Sequence, residues 1–145
     1  MYQDFGLFLD GAWCPASDRG TADVFSPVTE KPLGGVPVAT LSDAEEAIAA
    51  AGRGLAAWST KSGFERADAL HRIADEMARR KDEAARMIST ETGKPMVQSE
   101  REWVLSCDQF RWYAEEARRI YGRIVESRVP GGRFEVLRQP VGITV

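Results

Sequence analysis

The sequence predicts an α/β chain in which β-hairpins lead, four helices follow and a strand closes. Three observations carry this. Turn dipeptides separate short apolar runs in residues 5–38, helix start and stop signals punctuate residues 41–122, and alternating or β-branched residues follow residue 132. The 145 residues are about one domain's worth of chain, 43% hydrophobic and 28% charged, which is the balance of a globular protein.

Taken in order, Leu7-Phe8-Leu9 and Ala12-Trp13 flank Asp10-Gly11, which supplies the positive φ angles of a type I′ hairpin. Asp23-Val24-Phe25 and residues 33–38 form a second extended pair around a loop in which Pro27 and Pro32 limit pairing. Ser42-Asp43-Ala44-Glu45 reads as a capping box, and Ala44, Ala47, Ile48, Ala51, Leu55 and Trp58 then share one helix face. Gly52 and Gly54 weaken the end of that helix. Ser62-Gly63-Phe64-Glu65 repeats the box, and Leu70, Ile73, Ala74 and Met77 follow at helical spacing.

Asp82 is the expected cap of a third helix with Ala84, Met87 and Ile88 inward, stopped by Gly93 and Pro95. Pro95 opens a long fourth helix to about Tyr121, with Gly122 as its C-cap. Trp103, Cys107, Phe110, Ala114, Ala117 and Tyr121 predict one face buried along the whole length. Glu100, Arg101, Asp108, Arg111, Glu115, Arg118 and Arg119 fall on the opposite, solvated face. After the Pro130-Gly131-Gly132 turn, residues 133–138 alternate with Phe134 and Val136 on one face, and residues 140–145 read as a buried strand. A chain that stops inside such a strand reads as the front of a longer polypeptide.

Several function classes are disfavoured. A net charge of −3, from 22 acidic and 19 basic residues, lacks the basic footprint of a nucleic-acid binder. No apolar run is long enough for a membrane span, and Met1-Tyr2-Gln3-Asp4 lacks the pattern of a signal peptide. Two cysteines, Cys14 and Cys107, do not make a disulfide framework and fit a cytoplasmic chain with free thiols. His71 is the only histidine, so no two-histidine relay or histidine-based metal site forms. Gly34-Gly35 and Gly131-Gly132 do not compose a phosphate-cradling motif. Neither thiol has a histidine base or a helix N-terminus beside it, so both read as small hydrophobes.

Five blocks nevertheless occur in a telling order: GLFLDGAWCPAS with DVFSPVTEKPLGGVPVAT, AWSTKSGFERADALHRIADEM, STETGKP, FRWYAEEARRIYG and LRQPVGITV. Together they resemble the N-terminal part of NAD(P)-dependent aldehyde dehydrogenases, most of all the succinate-semialdehyde dehydrogenase branch. The resemblance implies an oxidoreductase that converts an aldehyde, succinic semialdehyde or a relative, to the acid with NAD or NADP. It implies that residues 1–122 are the hairpin and helical part of a coenzyme-binding domain. Residues 123–145 would start the oligomerisation and core strands, the last strand entering the coenzyme-binding sheet.

In that family a cysteine attacks the carbonyl, hydride passes to the nicotinamide, and a glutamate-activated water releases the acid. The resemblance places all of these groups beyond residue 145, so no catalytic or cofactor-binding residue is carried over, and the chain alone is expected to be inactive. Two weaker sites are implied: a structural monovalent cation held by the Val24 and Phe25 carbonyls and Glu91, and an aldehyde entrance lined by Arg101, Leu105 and Asp108. A cytoplasmic homo-oligomer without nucleic-acid or membrane partners is the expected setting. The alternative is a non-catalytic module that docks to other subunits.

Overall fold

The computed structural model describes residues 5–145; the N-terminal residues 1–4, read above for a leader, lie outside the described residues. Three antiparallel pairs and four helices occur in the order β1 (Leu7–Leu9), β2 (Ala12–Cys14), β3 (Thr21–Phe25), β4 (Pro32–Pro37), α1 (Leu41–Ser59), α2 (Gly63–Arg79), α3 (Lys81–Thr92), α4 (Met96–Ala117), β5 (Arg123–Glu126) and β6 (Arg133–Val136). Each strand pairs only with its neighbour in sequence, so the strands make three separate hairpins.

The first hairpin forms as its turn demands. Asp10 and Gly11 both take positive φ, at 50° and 83°, and Leu9 faces Ala12. In the second, Thr21 pairs with Pro37, and the register slips between Val24 and Phe25, leaving Phe25 opposite Pro32. Pro32 sits at the first position of its strand, where a missing N–H is tolerated. The third hairpin pairs β6 with residues 123–126, a strand the sequence did not signal. Residues 140–145, expected as a buried strand, form no ladder and are exposed.

The first two helices begin at side-chain caps. The first box lies two residues earlier than expected: Thr40, not Ser42, is the N-cap, and Asp43 is its partner at the third position. The Thr40 N–H donates to Asp43 Oδ2 at 2.8 Å, and the Asp43 N–H donates to Thr40 Oγ1 at 3.2 Å. Asp43 wins over Glu45 because it also draws the Ser17 N–H, at 3.2 Å to each oxygen, and so ties the segment after β2 to α1. Ser62 and Glu65 form the expected box on α2. Asp82 caps nothing; α3 follows α2 through Arg80, which has no side-chain cap, and Asp82 lies in the first turn. Gly93 ends α3 at φ 72°, as its stop signal requires. α4 ends at Ala117 rather than near Tyr121, so Tyr121 is 67% exposed and Gly122 is not the cap.

The core lies where α4 meets α2 and α3, and it is built from small residues. Ala67, Ala114 and Ala117 cluster with Leu70 packed against them. Ala74, Ala85, Ser99 and Cys107 are buried as well, and Ser99 is the largest fully buried side chain. Small side chains let helix backbones approach closely: a methyl on Gly63, at the start of α2, would fall 2.5 Å from the Ala117 carbonyl oxygen. The Trp103 indole N–H donates to the Met77 carbonyl at 2.7 Å, an oxygen that also accepts the Arg80 N–H at 3.1 Å. Along the solvent edge of this contact, Arg118 meets Asp68 at 3.3 Å, Glu115 meets His71 at 3.0 Å and Arg111 meets Asp75 at 3.6 Å. These rungs fix the antiparallel register more than they add stability, since exposed pairs contribute about 0–1 kcal/mol each.

α1 stands apart from this core. Its expected apolar face is largely uncovered, with Ile48 and Trp58 exposed and Asp43 its only buried residue. The helix is held at its ends, by the Asp43 network and by Arg53, which pairs with Asp10 of the first hairpin at 2.7 Å. The whole chain presents 11144 Å² to solvent.

Asp43 makes the fold acid-sensitive. The Thr40 backbone N–H foremost, then the Ser17 bonds, hold its carboxyl below the ordinary range against the opposing effect of burial. A depressed pKa contributes stability at neutral pH that is lost as the pH falls through the carboxylate range. Thermal unfolding of the parent chain should therefore weaken on acidification more steeply than that of Asp43→Asn. Parallel melting curves would contradict this role.

Candidate functional site

α4 carries two faces. One is the core face of Ser99, Trp103, Cys107, Phe110, Ala114 and Ala117. The other is a stripe of Val97, Arg101, Val104, Leu105, Asp108 and Trp112, all exposed, at spacings of four, three, one, three and four. These spacings keep six residues within one strip of helix surface. The face expected to be simply solvated therefore holds four large apolar side chains, with Val97 78% and Trp112 64% exposed. The missed signal was the pair of seven- and eight-residue repeats from Val97 to Val104 and from Val104 to Trp112.

Arg101 and Leu105 form a ridge between two shallow depressions on this face. Gln98, Glu102, Ser106 and Gln109 wall one side. Lys81, Val97, Glu100 and Val104 wall the other. Lys81 and Glu100 are joined at 3.2 Å, and Lys94 is bonded to Glu102, so the walls are largely charge-neutral. Arg101 itself enters no ion pair among the described residues. Its neighbour Asp108 lines neither depression and is drawn to Arg111 at 3.3 Å, one turn along the helix. Of the three residues expected at an aldehyde entrance, the structure thus brings Arg101 and Leu105 together and leaves Asp108 beside them.

The loop after β3 packs against the end of α3. Ser26, buried, accepts the N–H groups of Val28 and Thr29 at 3.3 and 3.2 Å and gives its own N–H to the Lys31 carbonyl at 2.9 Å. A methyl on Gly93 would lie 3.1 Å from Val28 Cγ2 and 3.3 Å from Pro27 Cγ. Glu91 lies two residues before Gly93, and the Val24-Phe25 step lies just ahead of the loop. Pro32, which has no N–H, faces Phe25 across the slip in register. Backbone carbonyls and a carboxylate are the donor set that suits an alkali cation.

The thiols and the imidazole lie apart. Cys14 Sγ donates to the Leu7 carbonyl at 3.4 Å within the first hairpin, and Cys107 is buried on α4 at 3% exposure. His71 is engaged with Glu115. Among the described residues no thiol faces a base, and no group of three His, Cys, Asp or Glu side chains gathers to hold a metal. The glycine pairs Gly34-Gly35 and Gly131-Gly132 lie in or beside hairpins rather than at a strand-to-helix turn, so these residues do not form a dinucleotide cradle.

Comparison with known proteins gives this arrangement a context. Residues 13–145 match the aldehyde dehydrogenase family. The chain is 36% identical over 137 residues to a glutarate-semialdehyde dehydrogenase of Pseudomonas aeruginosa, covering 94% of this chain and 28% of that protein. It is 35% identical over 133 residues to a succinate semialdehyde dehydrogenase of Acinetobacter baylyi, covering 92% and 28%. Among solved structures, succinate-semialdehyde dehydrogenase from Burkholderia pseudomallei superposes with a TM-score of 0.89 at 31% identity, over 95% of this chain and 29% of that one. The chain thus spans less than a third of the length of these proteins. With the hairpins, the four helices and their sequence all shared, the chain belongs to the aldehyde dehydrogenase family.

Proposed function

We propose that this chain is the N-terminal segment of an enzyme that oxidises a semialdehyde, succinic semialdehyde or a close relative, to the diacid with NAD or NADP. The observation that carries this is the family match over residues 13–145, joined to relatives whose named substrates are glutarate and succinate semialdehydes. The chain's own part lies on the aldehyde side. The unpaired Arg101 guanidinium can take the substrate's distal carboxylate through two parallel N–H bonds, the geometry that arginine matches to carboxylates. Leu105 offers the apolar contact for the intervening methylenes, and Asp108 borders the approach. The nicotinamide cofactor would accept hydride elsewhere in the polypeptide.

A monovalent cation held by the Val24 and Phe25 carbonyls and Glu91 would lock the β3–β4 loop onto the end of α3. Homo-oligomerisation through residues 123–145 is supported by β5 and β6, exposed at every position with Ile124, Phe134 and Leu137 uncovered. A cytoplasmic setting agrees with two free thiols, and no helix among the described residues is long and apolar enough to cross a membrane. The exposed hairpin also suits a non-catalytic docking module, but family membership favours the enzyme.

The test follows the reading frame past the codon for Val145. The isolated 145-residue chain should reduce neither NAD nor NADP with succinic semialdehyde, whereas the product of a frame that continues should do so. In that product Arg101→Ala should raise KM for succinic semialdehyde about tenfold or more and leave an uncharged aldehyde of equal length little changed. A stop codon, or an equal effect on both aldehydes, would overturn the respective half of the proposal. For the cation, the chain should melt higher in potassium or sodium chloride than in choline chloride, and Glu91→Gln should remove the difference. A difference that survives the substitution excludes Glu91 as a ligand.

A further inference from the structure

We propose that Lys94 and Lys81 are positioning residues that keep the Arg101 guanidinium free for an anionic substrate. This rests on the semialdehyde reading and names what maintains the charge that reading needs. An arginine on a helix readily pairs with a carboxylate one turn away. Arg79, Arg111 and Arg119 do so, with Glu76, Asp108 and Glu116. The positions one turn from Arg101 are Val97, Gln98, Val104 and Leu105, and none carries a charge. The acids that compete for Arg101 are its neighbours in sequence, Glu100 and Glu102. Each of them shares one of the two depressions with it.

Both acids are held by lysines that do not belong to α4. Lys81, the first residue of α3, takes Glu100 at 3.2 Å. Lys94, in the connection between α3 and α4, is bonded to Glu102, eight residues on. The fold fixes this second lysine: after Gly93 turns left-handed, the Lys94 carbonyl accepts the Ser89 hydroxyl at 2.8 Å. The electrostatic consequence is a change of sign. Glu100, Arg101 and Glu102 together carry one net negative charge, which repels a carboxylate. With Lys81 and Lys94 in place the same patch carries one net positive charge, and Arg101 is its one group without an ion pair among the described residues. An acid released beside Arg101 would close on it, and the guanidinium would no longer offer a substrate two parallel N–H bonds.

The product of the continuing frame, assayed with succinic semialdehyde and with an uncharged aldehyde of equal length, tests this. Lys94→Gln should raise KM for the semialdehyde about threefold or more, with kcat kept and the uncharged aldehyde unaffected. Adding Glu102→Gln should restore KM, because no acid remains to close on Arg101. In an Arg101→Ala background Lys94→Gln should change nothing. Lys81→Gln, rescued by Glu100→Gln, should behave likewise. Lys61→Gln, the same charge change at an exposed position before α2, should leave KM as it is. A loss of kcat on both aldehydes that Glu102→Gln does not rescue makes Lys94 merely structural and overturns the proposal. The 145-residue chain supplies a readout independent of catalysis. Proton exchange at the Arg101 Nε–H, followed by NMR, should slow in Lys94→Gln and recover in the double variant. Equal exchange in all three forms overturns the proposal. If Arg101→Ala itself leaves KM unchanged, the carboxylate-binding reading fails instead, and the exchange rates still decide whether Lys94 frees Arg101.

Discussion

The backbones of α2 and α4 meet with only small side chains between them at their closest approach, and the arrangement of the rest follows from that approach. Alanines at 67, 74, 114 and 117 keep both surfaces flat, and Gly63 lets the start of α2 rest on the last carbonyl of α4. With that end fixed, the Trp103 indole reaches the Met77 carbonyl and the three ion-pair rungs fall into register. Arg118 closes the same corner, its guanidinium 5.5 Å from the centre of the Phe64 ring and bonded to Asp68, although its Nε finds no acceptor. Because α4 is held along one side only, its other side must look outward. The position of Arg101 and Leu105 is thus a consequence of which residues are alanine.

Much of this was legible in the sequence, wherever local chemistry decides. Asp10-Gly11, the Ser62–Glu65 box and the Gly93 stop were readable because a turn or cap depends on a few adjacent residues. The start of α1 was misplaced by two residues because Thr40–Asp43 and Ser42–Glu45 both satisfy the capping pattern, and only Ser17, distant in sequence, selects between them. The strand at 123–126 was invisible because its pairing depends on a partner rather than on its own alternation. Burial was misjudged for α1 and for residues 140–145, where apolar patterning marks a surface that needs cover but does not name the cover. The same limit applied to α4, whose second apolar stripe was hidden among the charges of a face read as solvated.

The candidate sites divide along the same line. Arg101 and Leu105 came from a family resemblance, and the structure puts them on one ridge with a free guanidinium; periodicity alone would have left them as surface residues. Glu91 is far in sequence from Val24 and Phe25, and the packing of Pro27 and Val28 on Gly93 brings the β3–β4 loop to the end of α3.

The account stands most directly on the contact between Gly63 and Ala117, and paired alanine substitutions measure it. Gly63→Ala must push two backbones apart and should lower the free energy of unfolding by about 1–3 kcal/mol in denaturant titration. Gly54→Ala, inside α1 with no atom within 4 Å of the new methyl, should raise it by about 0.5–1 kcal/mol through helix propensity. If Gly63→Ala is as stable as the parent chain or more so, the helices are not locked by backbone contact and the account fails.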